Sequence, residues 1–272
     1  MSNATDVAPD PGQAEMSIDY SIDGGIARLV MNRPDRRNAL DAAMRVEMAD
    51  RVDQAAADAA VRVLVIEGSG DSFCSGADLG QFKGESIPSS RRRMQHGGLR
   101  LVRGIWEMEK PVVAVVRGPA IGLGAAIALA CDRVIAGSTA RLAFTYARVG
   151  LVPDTGAAFL LVRQMGLLRA KALLMSSRFV AATEALDMGL VSEVVDDEAL
   201  DAYAASAVRE LAEGPTFGFG MMKRLLHRAS APSLADFMEF EALVAPQMRF
   251  TDDYAEGTSA FREKRAPNFK GS

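Results

Sequence analysis

The chain has 272 residues, of which 49% are hydrophobic and 24% charged, a balance that excludes a largely disordered protein and suffices for one large domain with appendages or two smaller ones. A net charge of −4 argues against binding dominated by phosphate neutralisation, so no nucleic-acid partner is expected. Two cysteines, Cys74 and Cys131, cannot build a disulfide framework and sit in no zinc-like array, which points to a reducing cytoplasm and no metal.

Residues 1–15 are polar, with Pro and Gly but no basic start followed by an apolar run, and read as a loose tail instead of a signal peptide. IARLVMN (26–32) and RVLVIEG (62–68) are rich in Val, Ile and Leu and read as strands. Between them Leu40, Met44, Met48 and Val52 recur every four residues, predicting a helix from Ala39 to about Ala57. The pattern returns as a helix over 100–109, a strand over 111–118, a helix over 124–132 and a strand over 133–137. Strands spaced by helices imply crossover connections and a buried parallel sheet, hence an α/β core. Residues 111–131 are apolar enough to mimic a membrane span. Arg117 near their middle would cost roughly 2.5–3.5 kcal/mol in a bilayer, and Gly118-Pro119 breaks the element, so no membrane partner is expected.

Asp154, in LVPDTG, precedes the apolar run AAFLLVRQM. On the letters alone it reads as the N-cap of a helix, because an aspartate can accept the free N–H groups of a first turn. Beyond residue 195 the strand signal fades and four helical stretches follow, over 200–214, 217–230, 233–248 and 251–265. Their apolar faces predict packing on the core or on another subunit. A partition into tail (1–15), core (16–197) and helical region (198–272) follows.

The turn Gly122-Leu-Gly124 lacks the third glycine of a dinucleotide fingerprint, and neither a phosphate-binding GxxxxGK[ST] nor a zinc-binding HExxH occurs. The two histidines, His96 and His227, lie in no strand-to-helix elbow, and the Arg91-Arg92-Arg93 run reads as a solvated face. Phe261 and Lys264, three residues apart, put a ring and an ammonium on one helical face, a pair suited to an adenine and its phosphate.

NRPDRRNAL (32–40), FCSGADL (73–79), KPVVAVVRGPAIGLGAAIALACD (110–132), GLVPDTGA (150–157), TEALDMGLVSEVV (183–195) and FREKRAPNF (261–269) together resemble the enoyl-CoA hydratase/isomerase, or crotonase, family. The resemblance implies a spiral of ββα units with a helical C-terminal trimerisation region, assembled as a homotrimer or a dimer of trimers. The implied ligand is an acyl-CoA thioester, with coenzyme A present only as part of the substrate and no other cofactor. Carried over by position, the backbone N–H groups of Ala77 and Leu123 would hold the thioester oxygen as it becomes an enolate. Arg37, Ala39, Ala77, Asp78, Leu79 and Gly80 would contact the adenine and pantetheine, with Phe261 and Lys264 closing from the last helix. Hydratases of the family carry glutamates where this chain has Ala126 and Tyr146, so Tyr146 becomes a pocket wall. Isomerases with an LVPD segment use its aspartate, and the resemblance therefore implies an acyl-CoA isomerase with Asp154 as its acid and base. A hydratase, another acyl-CoA lyase or hydrolase, and an acyl-CoA binder without turnover are the alternatives.

Overall fold

The computed structural model describes residues 17–78, 86–229 and 233–272; the expected tail and the positions Leu79 and Gly80 lie outside them. The chain opens with the antiparallel pair β1 (Ile18–Asp23) and β2 (Ile26–Met31), followed by α1 (Ala42–Ala57) and β3 (Val63–Gly68). Then come α2 (Ile87–His96), α3 (Gly98–Glu107), β4 (Val112–Val116), β5 (Pro119–Ile121) and α4 (Leu123–Ala130). β6 (Arg133–Gly137), β7 (Arg141–Ala143), α5 (Ala157–Met165) and α6 (Leu167–Ser176) follow, and then β8 (Phe179–Ala181), α7 (Ala182–Asp187) and β9 (Glu193–Val195). The chain ends in α8 (Leu200–Glu213), α9 (Thr216–Arg228), α10 (Leu234–Val244) and α11 (Asp252–Glu263).

Among the described residues the strands form two sheets, one in the order β1-β2-β3-β4-β6-β9 and a small one in the order β5-β7-β8. From β2 to β9 the large sheet is parallel. β4, β5 and α4 make one ββα turn, and β6, β7 and α5 the next; in each turn the first strand joins the large sheet and the second the small one. That is a spiral, and it stacks the loops after successive strands on one side.

The central strands read as unbroken apolar runs because both their faces are buried. Leu64, Ile66, Val112, Ala114 and Val116 face a core shared with α1, α3 and α4, while Val63, Val65, Val113, Val115 and Ile135 point the other way. Leu200, Ala204, Ala207 and Val208 of α8 close that second face, so the first helix of the C-terminal region is part of the core. Among the described residues no helix is long and apolar enough to cross a membrane, and no cluster of His, Cys, Asp and Glu could hold a metal ion. Three of the C-terminal helices fall where periodicity predicts them, but the last ends at Glu263, and Lys264 caps it in the left-handed region at φ 55°. The expected shared helical face of Phe261 and Lys264 is therefore not formed.

Candidate active site

Two loops meet first. Asn38 is fully buried, and its amide donates to the carbonyls of Ser69 (2.9 Å) and Ser72 (2.7 Å) while its oxygen accepts the Arg33 N–H (2.9 Å). This ties NRPDRRNAL to the turn after β3. Leu40 then forms a parallel bridge with Ala77: the Leu40 N–H donates to Gly76 O (2.8 Å) and the Asp78 N–H to Leu40 O (2.9 Å). A parallel bridge of this kind uses the groups on either side of Ala77, so the N–H of Ala77 itself points away from Leu40. Among the described residues it donates to no carbonyl.

The second donor comes from α4. Gly122 takes φ 56°, and Leu123 behind it is the first helical residue, so its N–H has no intrahelical acceptor and lies at the positive end of the helix dipole. Leucine at position 123 causes no strain, because the positive φ falls one residue earlier, on Gly122. A Cβ on Gly76 would stand 3.7 Å from Leu123 N, which puts the turn carrying Ala77 directly beside the second donor. Two free N–H groups converging near a cavity are suited to a developing oxyanion.

Asp154 is not the cap of the helix that follows it. The N-cap of α5 is Gly156, at φ 82°, and no side chain caps that helix. Between them the buried Thr155 also takes a left-handed conformation, at φ 49°. Two successive left-handed residues swing the Asp154 carboxylate off the helix axis, and its Oδ1 accepts instead from the Thr155 hydroxyl at 3.2 Å. Room for Thr155 exists because residue 98 is glycine: a Cβ there would lie 2.7 Å from Thr155 Cγ2.

A cavity of about 450 Å³ is lined by Ala77, Leu123, Tyr146 and Asp154 together. Ala126, fully buried within α4, does not reach it. Burial pushes the Asp154 carboxyl above the usual carboxylate range. The Thr155 hydroxyl, its own backbone N–H, the Arg45 charge and the Tyr146 hydroxyl all pull it back down. Tyr146 is 8% exposed, and its phenol is raised by burial first and by the Asp154 charge second.

Arg45, Thr155 and Gly98 escaped the sequence reading. Arg45 lies beside Met44, off the four-residue stripe, yet is only 5% exposed; it lines the cavity, and its Nε donates to Asp41 O at 3.0 Å. A charge next to the apolar face of a predicted helix was its one local signal. The remaining expected positions lie elsewhere. Arg37 is exposed at φ 50°, Ala39 accepts from Arg33 through its carbonyl (3.3 Å), and Asp78 pairs with Arg33 at 3.2 Å. Phe261 is 86% exposed and borders a separate hollow between α9, α11 and the chain end, apart from Asp154. Cys74 and Cys131 are buried packing residues; burial holds the Cys74 thiol up at about 12, out of reach of neutral-pH chemistry.

Residues 21–272 match the family model described as enoyl-CoA hydratase/isomerase. A "Probable enoyl-CoA hydratase" of Rhodobacter capsulatus is 36% identical over 94% of this chain and 98% of its own length. The 1,2-epoxyphenylacetyl-CoA isomerase of Escherichia coli K12 is 34% identical over 92% and 97%. The solved enoyl-CoA hydratase of Mycobacterium smegmatis superposes with a TM-score of 0.88 at 30% identity, covering 94% of this chain and 99% of that one. The spiral of ββα units is thus a shared fold, and relatives named for water addition and for isomerisation stand at nearly equal distance. With its family model spanning almost the whole sequence, the chain belongs to the enoyl-CoA hydratase/isomerase family of enzymes.

Proposed function

We propose that this enzyme is an acyl-CoA isomerase that shifts a carbon–carbon double bond through a thioester enolate. The N–H groups of Ala77 and Leu123 hold the enolate oxygen, and Asp154 takes a proton from one carbon and returns it two positions away. The observation that carries this reading is that Asp154 is the one acid lining the cavity among the described residues, in the same cavity as both free donors. A double-bond shift needs one carboxylate that alternates between base and acid. Water addition needs one group to orient the nucleophile and another to exchange the proton, and the two family positions for such acids are Ala126 and Tyr146.

The reaction as written balances with no metal or redox cofactor, coenzyme A arriving with the substrate. Arg37, Ala39 and Asp78, outside the cavity lining, and Phe261 and Lys264 at the end of the last helix are assigned to its adenine and pantetheine. The exposed Leu243, Phe250 and Phe261 of the C-terminal region fit burial in a homotrimer. The test is a panel of 3-enoyl, 2-enoyl and phenylacetyl-type thioesters with wild type and Asp154→Asn, following conjugation by absorbance and water addition by mass. Conjugation of 3-enoyl substrates by the wild type alone, with the mutant still binding coenzyme A, is the expected result. Hydration of 2-enoyl substrates, or a mutant as fast as the wild type, overturns the assignment, and binding with no turnover on any substrate leaves a binder.

A further inference from the structure

The Tyr146 hydroxyl is sealed from solvent and, among the described residues, makes no hydrogen bond of acceptable geometry. Such a donor is costly to leave unmade. The polar groups within its reach are the Asp154 carboxylate and the Thr155 hydroxyl. Thr155 donates its own proton to Asp154 Oδ1 and keeps its lone pairs, so both groups can accept from the phenol. A hydrogen bond to an ionised acceptor is shorter and about twice as strong as one between neutral groups, so the carboxylate is the partner the phenol would choose.

We propose that Tyr146 is a positioning residue that donates its hydroxyl to the Asp154 carboxylate when substrate fills the cavity, holding the acid as an oriented anion for the first proton transfer. This rests on Asp154 being the proton carrier. In that step the substrate C–H bond breaks, its proton passes to Asp154, and its electron pair moves into the enolate between the Ala77 and Leu123 N–H groups. In the return step Asp154 gives the proton to the far carbon. Tyr146 keeps its own proton throughout and touches no reacting atom.

The arrangement has a physical purpose. An apolar cavity alone would leave Asp154 protonated and unable to start the cycle, whereas a strong permanent ion pair would leave it too weak a base to take a carbon-bound proton. The groups facing the carboxylate set the balance between these extremes. Arg45 from α1, Thr155 beside it and Tyr146 from the turn before it all favour the anion, and Arg93 from α2 adds a second positive charge to the cavity wall. Tyr146 is the member whose hydrogen bond lacks good geometry, and so the one whose contribution rises once substrate fills the cavity.

The experiment is a pH profile of kcat/KM for the conversion found with the acyl-CoA panel, measured on wild type, Tyr146→Phe, Asp154→Asn and a protein carrying 3-fluorotyrosine at position 146. Tyr146→Phe is expected to lower kcat by roughly tenfold to a hundredfold with KM little changed, and to move the acid limb up by about one pH unit. The fluorinated phenol is a stronger donor and keeps the ring, so its acid limb is expected to move down, even if the phenylalanine variant folds poorly. Acid limbs that coincide in wild type and both Tyr146 variants, with Asp154→Asn inactive, overturn the proposal and leave Asp154 as the carrier. Full activity in Asp154→Asn overturns the reading on which it rests.

Discussion

Gly98→Ala is the sharpest test of how the fold aims Asp154. The added Cβ would lie 2.7 Å from Thr155 Cγ2, where carbon atoms settle at about 3.5–4.0 Å, so one side must yield by roughly 0.8 Å or more. Thr155 has little freedom to do so, being 6% exposed, left-handed and hydrogen-bonded to Asp154. The displacement therefore passes to the neighbouring carboxylate. A misplacement near 1 Å costs about a hundredfold in rate, and overpacking of this kind costs about 1–3 kcal/mol of stability. Steady-state kinetics on the active thioester, with urea unfolding alongside, reads both. Thr155→Ser deletes the clashing methyl and keeps the hydroxyl, so Gly98→Ala/Thr155→Ser is expected to recover most of the rate, with a coupling of about 1 kcal/mol or more. A Gly98→Ala enzyme at wild-type rate, or a double mutant no better than the single one, refutes the argument that this contact places the acid.

Two further outcomes are expected. The folded-state pKa of Asp154 lies above its unfolded value, so the folded chain binds that proton more tightly; the group supports stability below the unfolded pKa and loses that support as pH rises through the folded one. At neutral pH ionised Asp154 is thus a net cost, and Asp154→Asn should melt higher than wild type at pH 7 with the gain shrinking toward pH 3, as scanning calorimetry would report; a lower melting temperature at pH 7 contradicts the burial argument. Lys223 is buried, donates to Asp132 at 2.9 Å and to Ile105 O at 3.1 Å, and pins α9 to the start of β6, so Lys223→Met is expected to cost about 3 kcal/mol in urea unfolding by stranding Asp132; a loss under 1 kcal/mol shows that solvent replaces the ammonium.

Legibility along this chain followed element length. The runs VLVI and VVAVV of β3 and β4 announced a sheet buried on both faces, since only parallel strands flanked by helices need unbroken branched apolar residues. The four-residue recurrence of Leu40, Met44, Met48 and Val52 located α1 for the same kind of reason. The strands β5, β7 and β8 went unread, because three residues carry no measurable period. The polar helix α2, with no buried residue, offers no apolar stripe to detect. At the site, the positions of Ala77, Leu123 and Asp154 came from motif resemblance. The direction of the Ala77 N–H came only from the bridge to Leu40, a contact 37 positions away along the chain.

The sequence by itself determined the class of core, the family, and the supply of chemical groups: one acid in LVPDTG, a phenol and an alanine where other members place carboxylates, and glycines at the two turns. The tertiary structure alone decided what the acid does with its lone pairs. Locally, Asp154 ahead of an apolar helix is a cap, because its nearest donors are that helix's own N–H groups. Thr155 and Gly156 take left-handed conformations, and glycine at position 98 leaves the space for Thr155, so the carboxylate turns into the cavity with Tyr146 and Arg45. Side-chain direction depends on distant packing, and no window of neighbouring letters contains it.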